Sequence, residues 1–325
     1  MKAIVCNTFG EESVLGLREV REPDIGESDV LVRLAYAGVN PVDAYIRSGS
    51  YALLPQLPYT PGDDGAGVVI AVGEKASFQI GDEVFVAANQ AKHNTGTYAQ
   101  LVAVDETAVA LLPKGISMAQ GAALGVPGYA SSLALFTKAK IQPGETILIH
   151  GASGGMGTLA IQQASLSGCK VYGTAGSQEG LQLLKSLGAF GVYNHKSPDY
   201  LMDMKRDSGG FDVIIESLAN INLNHDLDLL KKNGRLVIVG SRGKLDFDPR
   251  AVMAKDAVIY GLAVQNSTLR ERQEVLQRLT YQLYQGLKPV VSQEFALADA
   301  PLAHREVLNK KTSYGKLVLK ISMQD

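Results

Sequence analysis

From residue 1 to about 120, apolar positions recur in short alternating runs of strand length. KAIVCN, VLVRLAYAGV, GAGVVIAVG, DEVFVA and YAQLVAVD each carry β-branched or alternating apolar residues, with Gly, Pro or Asp between them. This is an all-β pattern whose spacing suits a partly open barrel. After LPKGISMAQGAAL the period changes. From Thr146, strand-length runs alternate with helical stretches: TILIH, MGTLAIQQASLSG, KVYGT, EGLQLLKSLGA, VYN, YLMDMKRD, FDVIIES, LNHDLDLLKKNG, RLVIVGS and VIYGLAV. Six strands joined by helices predict a doubly wound parallel sheet of the Rossmann type, and so an α/β fold. The helices are expected to end at Ser167-Gly168, Leu187-Gly188 and Asn233-Gly234, where glycine accepts the left-handed turn that stops a helix. A further helix, TLRERQEVLQRLTYQLYQG, leads into FALADAPLAHREVLNKK and a last strand, GKLVLKI.

The strongest chemical signal in this pattern is TILIHGASGGMGTLAIQQA, residues 146–164. A buried-type strand runs into a loop from Gly151 to Gly157 and directly on into an amphipathic helix. Ala152, Gly154 and Gly157 occupy the three small-residue slots of the dinucleotide fingerprint. Small residues there let backbone N–H groups approach a pyrophosphate, and the helix N-terminus adds favourable partial charge. The second strand ends in Thr174-Ala175-Gly176-Ser177, with no Asp or Glu to meet the ribose hydroxyls. An uncharged, hydroxyl-bearing cup of this kind suits a 2′-phosphate, which favours NADPH. Lys196, after the third strand, and Arg242 are the candidate cations for it; the alternative is that both are solvated surface residues.

Composition changes the picture mainly by exclusion. A chain of 325 residues exceeds the size at which one hydrophobic core stops growing, so two domains are expected. Net charge is −2, with 31 basic and 33 acidic residues well mixed, which leaves no electrostatic footprint for DNA or an acidic membrane. The two cysteines, Cys6 and Cys169, read as buried reduced thiols. Five histidines, scattered singly, give no zinc cluster by local spacing. No charged-then-apolar leader precedes MKAIVC, and no apolar run approaches the ~20 residues of a membrane helix. A cytoplasmic enzyme without membrane attachment is the expectation.

Several further stretches carry a family resemblance: AGVNPVDAYIRSGSY, LPYTPGDDGAGVV, HGASGGMG, GTAGSQEG, NHK, ESLANINLNHDL and VGSRGKLDFDPRAVMAK. Together they resemble the zeta-crystallin group of NADPH-dependent quinone oxidoreductases, in the medium-chain dehydrogenase/reductase superfamily. The likeness runs over essentially the whole chain. It implies a GroES-like catalytic domain from 1–120 and 266–325, a Rossmann domain from 121–265, and a reaction in the cleft between them. The zinc-dependent branch of the superfamily would place Cys in the GVNPVD stretch and His-Glu after the Pro-Gly turn. This chain has Asn40 at the first site, Asp63 and Asp64 at the others, and neither Cys nor His in GVPGYAS. Metal-free chemistry is therefore expected.

The resemblance also implies cofactor contacts at Tyr45, the turn of Ser153, Gly154, Gly155 and Met156, and Gly176 with Ser177. Further contacts would come from His195, Asn222, the segment Val239, Gly240, Ser241 and Arg242, and Leu262, Ala263 and Val264 after the sixth strand. Many relatives carry a lysine in the helix start after GTAGS, where this chain has Gly180. That departure returns attention to Lys196 and Arg242. A metal-free reductase needs a hydrogen-bond donor to polarise the acceptor oxygen, and Tyr45 and Asn40 lie in a loop resembling the family's substrate loop. Their plainer readings are a packed aromatic and a turn-former. The acceptor is a quinone or, alternatively, the C=C bond of an enone or alkenal. A crystallin-like nucleotide- or RNA-binding role is the third reading, and the absence of a basic stripe with interleaved aromatics weighs against nucleic acid. Relatives pair the apolar sixth strand with its copy, which implies a homodimer, with a tetramer as the alternative.

Overall fold

The computed structural model describes residues 1–87, 95–308 and 314–322, so the last residues of the HREVLNKK run lie outside the described residues. The chain divides into two compact units. One comprises Met1–Tyr129, Thr268–Tyr284 and Lys288–Asp325, and the other Ala130–Ser267 with Gln285–Leu287.

The first unit begins with β1 (Lys2–Cys6) and β2 (Leu15–Glu19), an antiparallel pair of their own. Then come β3 (Asp29–Val39), α1 (Pro41–Arg47), β4 (Asp64–Val72), β5 (Glu83–Val86), β6 (Leu101–Asp105) and β7 (Val109–Leu111). The helix α2 (Met118–Ala122) follows, and then α3 (Gly125–Ser132), whose last three residues are counted with the second unit. In β3, Val30, Val32 and Leu34 are buried while Arg33 points out, the period-two alternation that a half-buried strand requires.

The second unit is built on β8 (Thr146–Ile149), α4 (Gly155–Leu166), β9 (Lys170–Ala175), α5 (Gln178–Ser186) and β10 (Gly191–Asn194). It continues through α6 (Tyr200–Ser208), β11 (Phe211–Glu216), α7 (Ala219–Leu229), β12 (Leu230–Ile238), α8 (Pro249–Met253) and β13 (Val258–Gly261). The six strands lie in the order β10-β9-β8-β11-β12-β13, all parallel. Apolar residues fill both faces. Ile147, Ile149 and Val171 pack to one side, Leu148, Tyr172 and Phe211 to the other, which is why these strands read as continuous hydrophobic runs. The order reverses between β8 and β11, the position where sheets of this kind bind ligands at the strands' carboxyl ends.

The chain returns to the first unit through α9 (Leu269–Tyr284), β14 (Val291–Ala296), α10 (Ala300–Leu308) and β15 (Lys316–Lys320). Its main sheet runs β14-β15-β3-β4-β5-β7, with β6 also paired to β3. The last strand is thus hydrogen-bonded to β3, and Leu317 pairs with Val39.

Three sequence expectations need correction. LNHDLDLLKKNG is not helical to its end: α7 stops at Leu229, and LKKN enters β12. The reason is pairing, since Leu230 and Leu236 are buried opposite Phe211 and Ile214 of β11. Asn233 takes a positive φ of 61° inside that strand and donates its N–H to Lys255 O rather than capping a helix. Cys169 is half-buried, in contrast to fully buried Cys6. The strands β2 and β7 carry too little alternation to be read from sequence. Among the described residues no helix is long and apolar enough to cross a membrane.

Candidate active site

In the second unit, β8 delivers the chain into the glycine loop and α4 leaves it. Gly154 is the N-cap of α4 and supplies no side-chain cap, so the first amides of a twelve-residue helix remain available to a ligand. Gly157 is required for close packing: a Cβ there would lie 2.5 Å from Ala152 Cα. Ala152 itself is buried, and its N–H donates to Thr174 O at 2.8 Å, tying the loop to the end of β9. Ser153, Gly155 and Met156 are half-buried along the loop and helix start.

The end of β9 meets the end of β10. A Cβ on Gly176 would lie 2.7 Å from His195 Nε2 and 3.2 Å from Lys196 Cε, so both side chains lie over this glycine. Burial and the neighbouring Lys196 charge hold the His195 imidazole below its ordinary range, which favours its neutral form. Ser177 caps α5 by accepting the Gly180 N–H at 3.1 Å. A Cβ on Gly180 would lie 3.2 Å from Ser153 Cβ, which packs the start of α5 against the glycine loop.

Beyond β11, Asn222 donates from Nδ2 to Glu216 Oε2 at 3.1 Å. Asn220, which sequence reasoning missed, accepts the Arg242 N–H at 2.8 Å and so anchors the segment from Val239 through Gly240 and Ser241 to Arg242. Leu262 continues from β13, its N–H bonded to Ile238 O, with Ala263 and Val264 behind it. Gly151 to Gly157, Gly176, Ser177, His195, Lys196, Asn222 and the 239–242 segment therefore all lie at the carboxyl ends of strands of one sheet.

Under the loop lies a buried cluster that local spacing does not reveal. His150 Nε2 is 2.8 Å from Asp226 Oδ1 and 3.8 Å from Glu216 Oε2. Burial alone would depress the His150 imidazole, but the Asp226 and Glu216 charges outweigh it and raise its pKa. Burial pushes Glu216 up to about 7, partly offset by the His150 charge. The Gly151 N–H donates to Thr174 Oγ1 at 3.1 Å, and that hydroxyl lies 3.4 Å from His150 Nδ1. His150, Glu216 and Asp226 form the one group of metal-ligating type among the described residues.

In the first unit, Asn40 and Tyr45 belong to one short helix and its cap. Asn40 is the N-cap of α1, Pro41 pre-sets the first turn, and the Asn40 N–H donates to Asp43 Oδ2 at 2.8 Å. The Asn40 side chain is 4% exposed and engaged at both ends. Its Nδ2 donates to Asp64 Oδ2 at 2.7 Å, and its Oδ1 accepts from Lys316 Nζ. Lys316 Nζ also donates to Asp64 Oδ2 at 2.9 Å. Asp43 accepts the Tyr98 hydroxyl at 3.0 Å, and His304 Nε2 lies 3.2 Å from the same hydroxyl. Burial pushes the Asp43 carboxyl up to about 7, against the Asn40 N–H that lowers it. Tyr45 is half-buried, and its hydroxyl has no hydrogen-bond partner among the described residues. Tyr129 is buried at 2% exposure.

The donor set around Asn40 does not suit zinc. Among the described residues it offers a carboxamide and carboxylates, no thiolate or imidazole, and the Asn40 and Asp64 oxygens that would ligate already hold the Lys316 ammonium.

Two family models match the chain, the alcohol dehydrogenase GroES-like domain over residues 26–114 and the zinc-binding dehydrogenase over residues 155–280. A quinone oxidoreductase of Sus scrofa is 42% identical over 98% of this chain and 97% of its own length. That of Homo sapiens is 40% identical over the same shares. Among solved structures, the quinone oxidoreductase of Pseudomonas syringae pv. Tomato DC3000 superposes with a TM-score of 0.86 at 29% identity, covering 98% of this chain and 99% of that one. An NAD-dependent alcohol dehydrogenase superposes with a TM-score of 0.89 at 28% identity, covering 99% of this chain and all of that one.

Proposed function

The chain belongs to the zeta-crystallin-like quinone oxidoreductases of the medium-chain dehydrogenase/reductase superfamily, a nicotinamide-dependent group, and from that membership we propose that it reduces quinones with NADPH, without a metal. The observation that carries the cofactor choice is the end of β9: no acid stands there, and Lys196 and His195 lie over Gly176. A carboxylate at that place would accept ribose hydroxyls and repel a 2′-phosphate. A lysine favours the phosphate by charge-assisted hydrogen bonding.

NADPH, when bound, supplies the hydride. The protein's part is to hold and orient. The uncapped amides at the start of α4 would receive the pyrophosphate and Lys196 the 2′-phosphate, while Asn220 holds the 239–242 segment in place for the nicotinamide half; Arg242, after β12, stands four strands from β10 and so belongs to that half rather than to the phosphate. Tyr45, whose hydroxyl has no partner among the described residues, donates it to the acceptor oxygen as negative charge develops there. Asn40 supports that placement from the head of α1. A quinone's reduced oxygen is stabilised by aromatisation of its ring, so little general-acid help is needed. Zinc independence is supported by a donor set whose oxygens are committed to Lys316. We propose also that β13, at the edge of the six-stranded sheet, pairs with its copy in a homodimer.

The test is nicotinamide oxidation by the purified protein, followed spectrophotometrically. NADPH oxidation is expected to depend on added quinone, to exceed that with NADH, and to be unaffected by chelators. Equal rates with NADH, inhibition by chelation, or turnover of simple enones in preference to quinones would count against it.

A further inference from the structure

A lysine with 5% of its surface exposed is an expensive component, since the ammonium loses its hydration and must recover it from partners. Replacing a buried ion pair by apolar residues of similar volume is often neutral or stabilising, so stability alone is a weak reason for it. What Lys316 does have is reach. It stands at the start of β15, 276 residues from Asn40 and 252 from Asp64 in sequence, and it donates to both.

The consequence for Asn40 is a fixed amide. With Oδ1 on the ammonium and Nδ2 on the Asp64 carboxylate at 2.7 Å, the opposite flip would set amide hydrogens against the ammonium and oxygen against carboxylate. Asp64 is held in turn. Its Oδ1 accepts the Val126 N–H at 2.5 Å, from the start of α3. No slack surrounds the group: a Cβ on Gly125 would lie 2.0 Å from Asp64 Oδ1, and one on Gly38 would lie 3.0 Å from Lys316 Cε. Asn40 is the cap of α1, and Tyr45 follows little more than a turn later on that helix. The other restraint on the same turn is Asp43, held by the Asn40 N–H and the Tyr98 hydroxyl.

We infer that Lys316 is a positioning residue for the reaction: its buried ammonium locks the Asn40 amide against Asp64 and so sets the place of Tyr45. This rests on the proposed quinone reduction only in the use made of Tyr45; the positioning itself is a property of the folded unit. Cross-links of this kind suit a short helix, because α1 has too few turns to be rigid by itself.

The experiment uses the full chain with 3-fluorotyrosine at position 45, and a second sample labelled at Tyr36 on β3 as control. Lys316→Met alone leaves the Asp64 carboxylate buried and unpaired, so the decisive variant is Lys316→Met with Asp64→Asn, which removes both charges. The expected result is a displaced or broadened fluorine resonance at position 45 with the Tyr36 signal unchanged. Turnover of quinone should fall about tenfold or more, because small misplacements near reacting atoms are costly. The Kd for NADPH, measured by fluorescence, should stay within about twofold. A folded double variant that keeps the wild-type resonance at position 45 overturns the inference, whatever its turnover. If the wild-type protein reduces no quinone, the proposed function fails, while the fluorine signal still decides the positioning.

Discussion

In the proposed function the choice of cofactor falls to single residues. Lys196 lies over Gly176 beside His195, whose imidazole is held low by partial burial and by the Lys196 charge. A neutral ring next to an ammonium leaves one cation to meet a phosphate. Lys196→Ala should therefore raise the KM for NADPH by about 10- to 100-fold, the loss of one charge-assisted hydrogen bond, and leave the KM for NADH nearly unchanged. Steady-state kinetics with both cofactors checks this, and equal effects on the two would remove Lys196 from the phosphate site. The residue scale is also where sequence reading succeeded unevenly. Ala152, Gly154 and Gly157 were legible because the fingerprint is a local constraint on backbone approach, and Gly157 does press against Ala152. Asp64 was legible only as a departure from the zinc-dependent pattern. Its actual partners, Asn40, Val126 and Lys316, come from three separate stretches of chain.

At the level of elements, the period of the hydrophobic pattern carried most of the information. Strands β8, β9 and β11 are buried on both faces and read as unbroken apolar runs. The boundary between α7 and β12 was not readable, because LDLLKKNG has good helix formers and a helix-stopping Asn-Gly. Pairing with β11 overrides that local preference. An edge strand poses a different question. β13 closes the sheet with Val258 exposed at 42%, an arrangement that invites pairing with another copy. Sedimentation should give roughly twice the 34.6 kDa chain mass, and Val258→Lys should shift the protein towards monomer. A wild-type protein that sediments as a monomer at micromolar concentration would sink the dimer.

The whole molecule registers pH through its buried acids. Asp43 and Glu216 are each pushed up to about 7, chiefly by burial, and His150 is raised by its carboxylate neighbours. A pKa raised on folding contributes stability that is present below the unfolded value and lost as pH rises through the folded one. His304 runs the other way. Burial holds it down at about 3, so its contribution is present above the unfolded value near 6.5 and is lost as pH falls. Stability should thus rise as pH is lowered from about 8.5 to 6.5, by about 1 kcal/mol in total for each raised acid. Glu216→Gln, which mimics the protonated side chain, should flatten that slope, and thermal unfolding across the range measures it. A slope unchanged by the substitution would exclude Glu216 as a source. Sequence alone determined the two architectures and the glycine loop, because periodicity and close backbone approach are properties of contiguous residues. Tertiary structure decided what surrounds them. The His150, Glu216 and Asp226 cluster and the Lys316, Asp64 and Asn40 network join residues remote along the chain, and desolvation gives those contacts their strength only once the chain has folded.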